Sequence, residues 1–448
     1  MDHYEKTARG LAGDSRPLAS RRNLLRAGGV AAASLLAAQP ATAVTLPGYP
    51  STAGATAGGV SLPPATPEIA RLALSVEHSA LTDLRSRLSR TRFPESQTAP
   101  GWAQGAPIER VHSLLQYWQD HYDWRRLERR LNTLGQYRTL IDGLGIHFLH
   151  IRSHHPNALP LILTHGWPGS VVEFLDVIGP LTDPTAYGAT ADDAFHLVIP
   201  SLPGFGLSDR PHESGWDVGR TASAWVTLMS RLGYRRYLAQ GGDIGAGVTI
   251  RMGVEQPPGL LGIHLNFQDY LFSPPVQETV TPPEQTALDQ LTDFLTNDAG
   301  YFLEQGTSPQ TIGYALTDSP AGQAAWIYEK FGAWTDSGHD PESVLSRDQM
   351  LDNITLYWLT GTAASSARMY WENRAPAPPS LNTVDLPVGV SVFPGEIIRT
   401  PRIWAERAYS NLVYFNDQIP VGGHFAAFEQ PPRFAEEIRK FGRFFRNW

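Results

Sequence analysis

The stretch "AQGGDIGAG" (residues 239–247) sets one carboxylate, Asp243, among four glycines and leaves the backbone around it nearly bare. The residues leading into it, "RYLAQGGD" (236–243), read as a strand, and "IGAGVTIRMGVEQ" (244–256) continues as a helix. Strand, Gly-Gly-Asp-Ile-Gly, helix is the layout of a nucleophile elbow, where small residues permit a strained turn that lifts one side chain clear of a sheet. The helix N-terminus adds its dipole beside that carboxylate. A phosphate-binding loop shares the glycines, but no lysine follows them and an aspartate repels phosphate. A plain glycine-rich turn would ask nothing of the carboxylate.

The surrounding rhythm favours the elbow. "LPLILTHG" (159–166), "FHLVIPSLPGFG" (195–206), "LLGIHLNF" (260–267), "LPVGVSVFP" (386–394) and "NLVYFN" (411–416) are strand runs, and helical patterns alternate with them. That alternation predicts an α/β fold with a doubly wound, mostly parallel sheet of the α/β-hydrolase kind. The expected core is residues 159–268 and 386–448. Between them, 269–385 are helical stretches with Pro pairs, expected as a helical cap.

In such hydrolases the nucleophile, acid and histidine follow in chain order. "VGGHFAAFEQP" (421–431) sets His424 in a Gly-rich loop after the last strand, and "FPGEIIR" (393–399) sets Glu396 directly after the strand before it. Asp385 and Asp417 compete as the acid, but neither follows its strand as Glu396 does. "THGWPGS" (164–170) closes an early strand where the fold turns a backbone N–H toward the elbow. Trp167 N–H and Ile244 N–H are therefore the expected oxyanion pair.

Aspartate in place of serine changes the chemistry. A carboxylate attacking a carbonyl would make an anhydride, whereas attack on saturated carbon makes an ordinary ester that activated water can cleave. The expected substrate is thus an alkyl electrophile, an epoxide or a haloalkane. An epoxide oxygen needs acidic donors such as phenols. Tyr301 and Tyr370 in the cap segment are phenols of that kind, though spacing cannot select them from 16 tyrosines.

The pieces "DWRRLERRLN", "HGWPGS", "LPGFGLSD", "GGDIGAG", "SPQTIGYALTDSPAGQAAWI", "FPGEI" and "GGHFAAFEQP" together resemble the microsomal-type epoxide hydrolases, including insect juvenile-hormone and fungal relatives. The resemblance covers residues 67–448 and implies an N-terminal extension (67–158) wrapping the core. By position it implies Asp243 as nucleophile, His424 as water-activating base, Glu396 as charge partner, Tyr301 and Tyr370 as ring-opening donors, and Trp167 in the oxyanion loop. The expected partners are a small hydrophobic epoxide and water, with no cofactor and no metal. A haloalkane dehalogenase is the alternative, although such enzymes usually carry Trp after the nucleophile, where Ile244 stands. A catalytically inactive secreted binding protein on the same fold is the other.

The beginning of the chain departs from the microsomal relatives, which carry a membrane anchor. "SRRNLLRAGG" (20–29), the weakly apolar "VAAASLLAA" (30–38) and "ATA" (41–43) read as a twin-arginine export signal over residues 1–43. The expected location is extracellular or in the cell envelope of a bacterium, with membrane contact only during export. Residues 44–66, rich in Pro, Gly, Ala and Thr, read as a flexible linker. The absence of cysteine excludes disulfides, thiol nucleophiles and thiolate metal sites, and a net charge of −8 offers no nucleic-acid footprint. Oligomeric state is open, a homodimer being one candidate.

Three further features have plain expectations. His147 and His150 point to opposite faces of a strand and cannot chelate together. Trp118, Trp124 and Phe148 fall on periodic core faces. The basic run in "RRLERRLN" reads as a solvated helix face.

Overall fold

Asp142 and Gly143 both adopt positive φ, 50° and 75°, the turn that a two-residue hairpin requires. They join β2 (Gln136–Ile141) to β3 (Leu144–Ile151) in antiparallel register, Ile141 opposite Leu144. This hairpin begins the sheet in the computed structural model, which describes residues 59–268, 274–277, 279–374 and 384–446. β1 (Ala70–Arg71) pairs with β2, and β3 pairs antiparallel with β5 (Phe195–Pro200).

From β5 onward every pairing is parallel. β4 (Leu159–Thr164), β6 (Tyr237–Gly241), β7 (Leu260–Leu265), β8 (Val388–Ser391) and β9 (Leu412–Asn416) complete the order β1-β2-β3-β5-β4-β6-β7-β8-β9. β5 is buried along its whole length, because helices cover both faces of a parallel sheet. The fold is the α/β-hydrolase fold expected from the strand rhythm.

Six helices stand between β7 and β8: Pro282–Asp293, Gly300–Thr307, Pro309–Asp318, Pro320–Trp334, Arg347–Thr360 and Ala363–Glu372. Three of them open on proline, whose fixed φ suits the first helical position and whose missing N–H costs nothing there. Ser346 and Gln349 form a capping box at the start of Arg347–Thr360.

The N-terminal helices are strapped to this segment. Tyr122 Oη and Arg126 Nη2 both reach Asp352 Oδ1 at 2.7 Å, Tyr117 Oη reaches Asp348 at 3.0 Å, and Arg110 reaches Asp340 at 3.2 Å. Arg130 meets Asp176 at 2.6 Å. The run "RRLERRLN" is therefore an ion-paired fastening and not a solvated face: its partners lie more than 40 residues away and are invisible to local periodicity. Trp118, Trp124 and Phe148 are core residues, as their spacing predicts.

The expected export signal and residues 44–58 of the expected linker lie outside the described residues. Residues 59–66 are docked: Val60 is buried and bridges Val76, and the Leu140 N–H donates to Thr66 O at 2.6 Å. The expected helix over 171–181 is instead a short 3-10 turn, Val171–Phe174, followed by the helix Ile178–Thr182. Among the described residues no helix is long and apolar enough to cross a membrane.

Candidate active site

Asp243 sits at φ 51° and ψ −130° between β6 and the helix Ile244–Glu255, a left-handed backbone that non-glycine residues seldom adopt. Glycines make room for it. A Cβ on Gly166 would collide with the Asp243 carboxylate, and one on Gly245 with the Thr164 carbonyl. A Cβ on Gly242 would lie 2.8 Å from the Asn266 amide. These close approaches are the physical reason for "GGDIGAG".

The two carboxylate oxygens of Asp243 face different partners. Trp167 N–H donates to Oδ1 at 2.7 Å, and His424 Nε2 stands 3.4 Å from Oδ2. No hydrogen bond joins the Ile244 N–H to Asp243, so of the expected oxyanion pair only Trp167 is engaged on the carboxylate. The loop carrying Trp167 is held from behind: Asn353 Nδ2 donates to Pro168 O at 2.7 Å, and Tyr357 Oη to Gly169 O at 2.8 Å. Both come from the helix Arg347–Thr360.

His424 Nδ1 lies 2.6 Å from Glu396 Oε1, in a buried pair. The Ile397 N–H also donates to Oε1, at 2.8 Å, while Oε2 has no partner among the described residues. Burial disfavours a charged imidazole, but the carboxylates of Glu396 and Asp243 outweigh it and hold the His424 pKa well above the ordinary histidine value. The competing acids are elsewhere: Asp385 accepts from Ser410 Oγ, and Asp417 from Gln418 Nε2.

Tyr301 stacks on Trp167 with ring centroids 4.9 Å apart and planes 9° from parallel. Tyr370 meets both rings edge-on, 5.9 Å from Trp167 and 5.7 Å from Tyr301. Both phenols are buried, and burial first, with the nearby Asp243 charge adding to it, raises them well above the ordinary tyrosine value. The buried Tyr370 hydroxyl has no hydrogen-bond partner among the described residues. Lys330, itself paired with Asp298 at 2.6 Å, places its ammonium 4.4 Å from the Tyr301 ring.

Sequence reasoning missed Glu173. It shares with Asp243 and His424 the wall of a cavity of about 350 Å³, together with Gly166, Asn266 and Phe434. Burial pushes its carboxyl up to about 8, helped by the Asp243 charge and opposed by His424. An acid set within the apolar run "VVEFL" was the available signal.

His147 hydrogen-bonds Ser201 and Gln136, whereas His150 bonds Tyr234, so the two do not converge. His154, His155 and Asp183 bring ligand atoms within 4.8 Å of one another, and none of them walls the cavity at Asp243.

Fold and site together define an α/β-hydrolase whose elbow carries aspartate. The sequence model "Epoxide hydrolase N terminus" matches residues 69–174, and "alpha/beta hydrolase fold" matches residues 160–315. A protein of Stigmatella aurantiaca (strain DW4/3-1) named "Putative epoxide hydrolase" is 60% identical over 368 residues, covering 82% of this chain and 83% of that protein. "Epoxide hydrolase 1" of Oryctolagus cuniculus is 33% identical over 394 residues, covering 81% and 86%. The crystal structure of juvenile hormone epoxide hydrolase from the silkworm Bombyx mori superposes with a TM-score of 0.76 at 30% identity, covering 86% of this chain and 96% of that one. The chain belongs to the epoxide hydrolase family, a family of enzymes.

Proposed function

We propose that this chain is an exported epoxide hydrolase that converts a small hydrophobic epoxide to a vicinal diol through an ester on Asp243. The observation that supports it best is the division of the Asp243 carboxylate. One oxygen is held by Trp167 N–H, and the other faces His424. Two phenols are packed on the same tryptophan.

Oδ2 attacks a ring carbon, the C–O bond breaks, and the ring oxygen takes its proton from Tyr301 or Tyr370. Alkylation removes the negative charge of Asp243, one of the two that keep a proton on His424. The imidazole then gives up that proton, which restores the tyrosine. Neutral His424 takes a proton from water as its oxygen bonds to the Asp243 carbonyl carbon, and Trp167 N–H stabilises the oxyanion. Collapse expels the diol oxygen, which is protonated by His424. The acid proton left on Asp243 returns to His424, closing the cycle. These steps draw on the chain's own side chains and call on no cofactor or metal.

Single turnover in ¹⁸O-water tests the route, because the label should enter Asp243. Label found only in the diol would mean direct attack of water on the epoxide. Chloride release from haloalkanes without diol formation from small, aryl or long-chain epoxides would favour the dehalogenase reading. Export rests on residues 20–43 of the sequence; Lys in place of Arg21 and Arg22 should leave the protein in the cytoplasm.

A further inference from the structure

Four consecutive backbone N–H groups around His424 have named acceptors. Gly422 N–H donates to Asp336 Oδ2 at 2.9 Å, and Gly423 N–H to Glu429 Oε2 at 3.1 Å. His424 N–H donates to Trp334 O at 2.9 Å, and Phe425 N–H to Glu429 Oε1 at 3.1 Å. Glu429 Oε2 also accepts the Asp336 N–H at 2.8 Å. The Glu429 side chain is buried, so none of these bonds is exchanged for water without cost. Gly423 cannot carry a side chain here, since a Cβ would lie 2.6 Å from Trp334 O and 2.7 Å from Asp336 N.

Trp334 and Asp336 belong to the end of the helix Pro320–Trp334 and the residues just after it. The Trp334 ring touches both halves of the site, lying edge-on to Tyr301 at 5.1 Å and to His424 at 5.1 Å. The same few residues thus face the phenols on one side and carry the histidine loop on the other.

We propose that Glu429 is a positioning residue for the hydrolytic half-reaction. Its carboxylate fixes the His424 loop to the helix end at Trp334–Asp336, so that the imidazole points at the ester formed on Asp243. Glu429 touches neither substrate nor water in this role; it acts through the loop. A carboxylate suits the position because two oxygens must accept three N–H groups, which an amide cannot do without turning a donor toward a donor. The proposal rests on the covalent route described above.

Rapid-quench mass spectrometry of the full chain separates the two half-reactions with an aryl epoxide. In Glu429→Gln, ester formation on Asp243 should stay within about threefold of wild type while ester hydrolysis slows by about 10- to 100-fold, so the adduct accumulates. Asp336→Ala, at an exposed position, should give the same pattern more weakly, and it provides the reading should Glu429→Gln fail to fold. A merely structural role would slow both steps in proportion or lower the folded fraction. Proportional loss, or unchanged hydrolysis in either folded variant, overturns the proposal. His424→Gln serves as control: it must trap the adduct. If it does not, the covalent route has failed and the role of Glu429 falls with it, whereas a trapped adduct with normal hydrolysis in Glu429→Gln overturns only the latter.

Discussion

Glu396 Oε1 stands 2.6 Å from His424 Nδ1, while its Oε2 is buried without a hydrogen-bond partner among the described residues. The acid is therefore committed to the histidine through a single oxygen. Glu396→Gln turns an acceptor into a mixed group and weakens the hold on the Nδ1 proton. Ester hydrolysis should fall by about 10²–10⁴-fold, with ester formation much less affected. Equal losses in the two steps, measured by rapid quench, would contradict the division of labour.

Tyr370 predicts opposite effects on activity and stability. Removing its hydroxyl costs the ring-opening step about 10²-fold in single-turnover alkylation rate. It also removes a buried, unpartnered polar group, so Tyr370→Phe should be more stable by about 1 kcal/mol in urea unfolding. A destabilised variant would mean that the hydroxyl has a partner in solution.

Gly166→Ala tests the crowding at the elbow. The added methyl collides with the Asp243 carboxylate, which must shift off Trp167 N–H. Since misplacement by about 1 Å can cost about 10²-fold, turnover should fall at least that far while the protein remains folded. Near-normal kcat with unchanged circular dichroism would show that the carboxylate has room to spare.

Stability should peak in mildly acidic solution. Burial lowers His147 to about 3 and His165 and His264 to about 4, from 6.5. The unfolded chain therefore takes up more protons than the folded one below pH 6.5, and stability is lost as pH falls toward 4. Burial raises Asp352 to about 6, Glu429 to about 7 and Glu173 to about 8, from 3.8–4.5. Their contribution is complete below those ordinary values and is lost as pH rises through 6–8. Thermal melts should show a maximum between these limbs. Glu173→Gln should flatten the alkaline limb; an identical slope in the variant would remove Glu173 from the account.

How much of this could be read from the chain alone depends on where the partners come from. Asp243, Glu396 and His424 are legible because each follows a strand, and a parallel sheet gathers strand ends at one edge. Tyr301 and Tyr370 are legible only through family resemblance, because nothing in helical spacing separates a phenol over the nucleophile from a packing residue. Contacts between remote segments leave no local trace. Asn353 on Pro168 spans 185 residues, and Glu429 on the Asp336 N–H spans 93. The same cause misled the reading of Arg126 and Arg130. Their acidic partners are distant in sequence, and a run of arginines on one helix looks solvent-facing until those partners arrive.

That lateness bears on how the protein is made. Arg126 and Asp352 are 226 residues apart, so at about 5–20 residues per second the ribosome needs roughly 10–45 seconds to supply the partner. Until then the first helices hold a stripe of leucines and tryptophans with no surface to cover it. The opening third of the polypeptide cannot mature as an independent unit, and its apolar face must be shielded by chaperones or by its own collapse. Folding is thus completed late in synthesis, in the compartment where the chain is built, and any export must move a finished molecule.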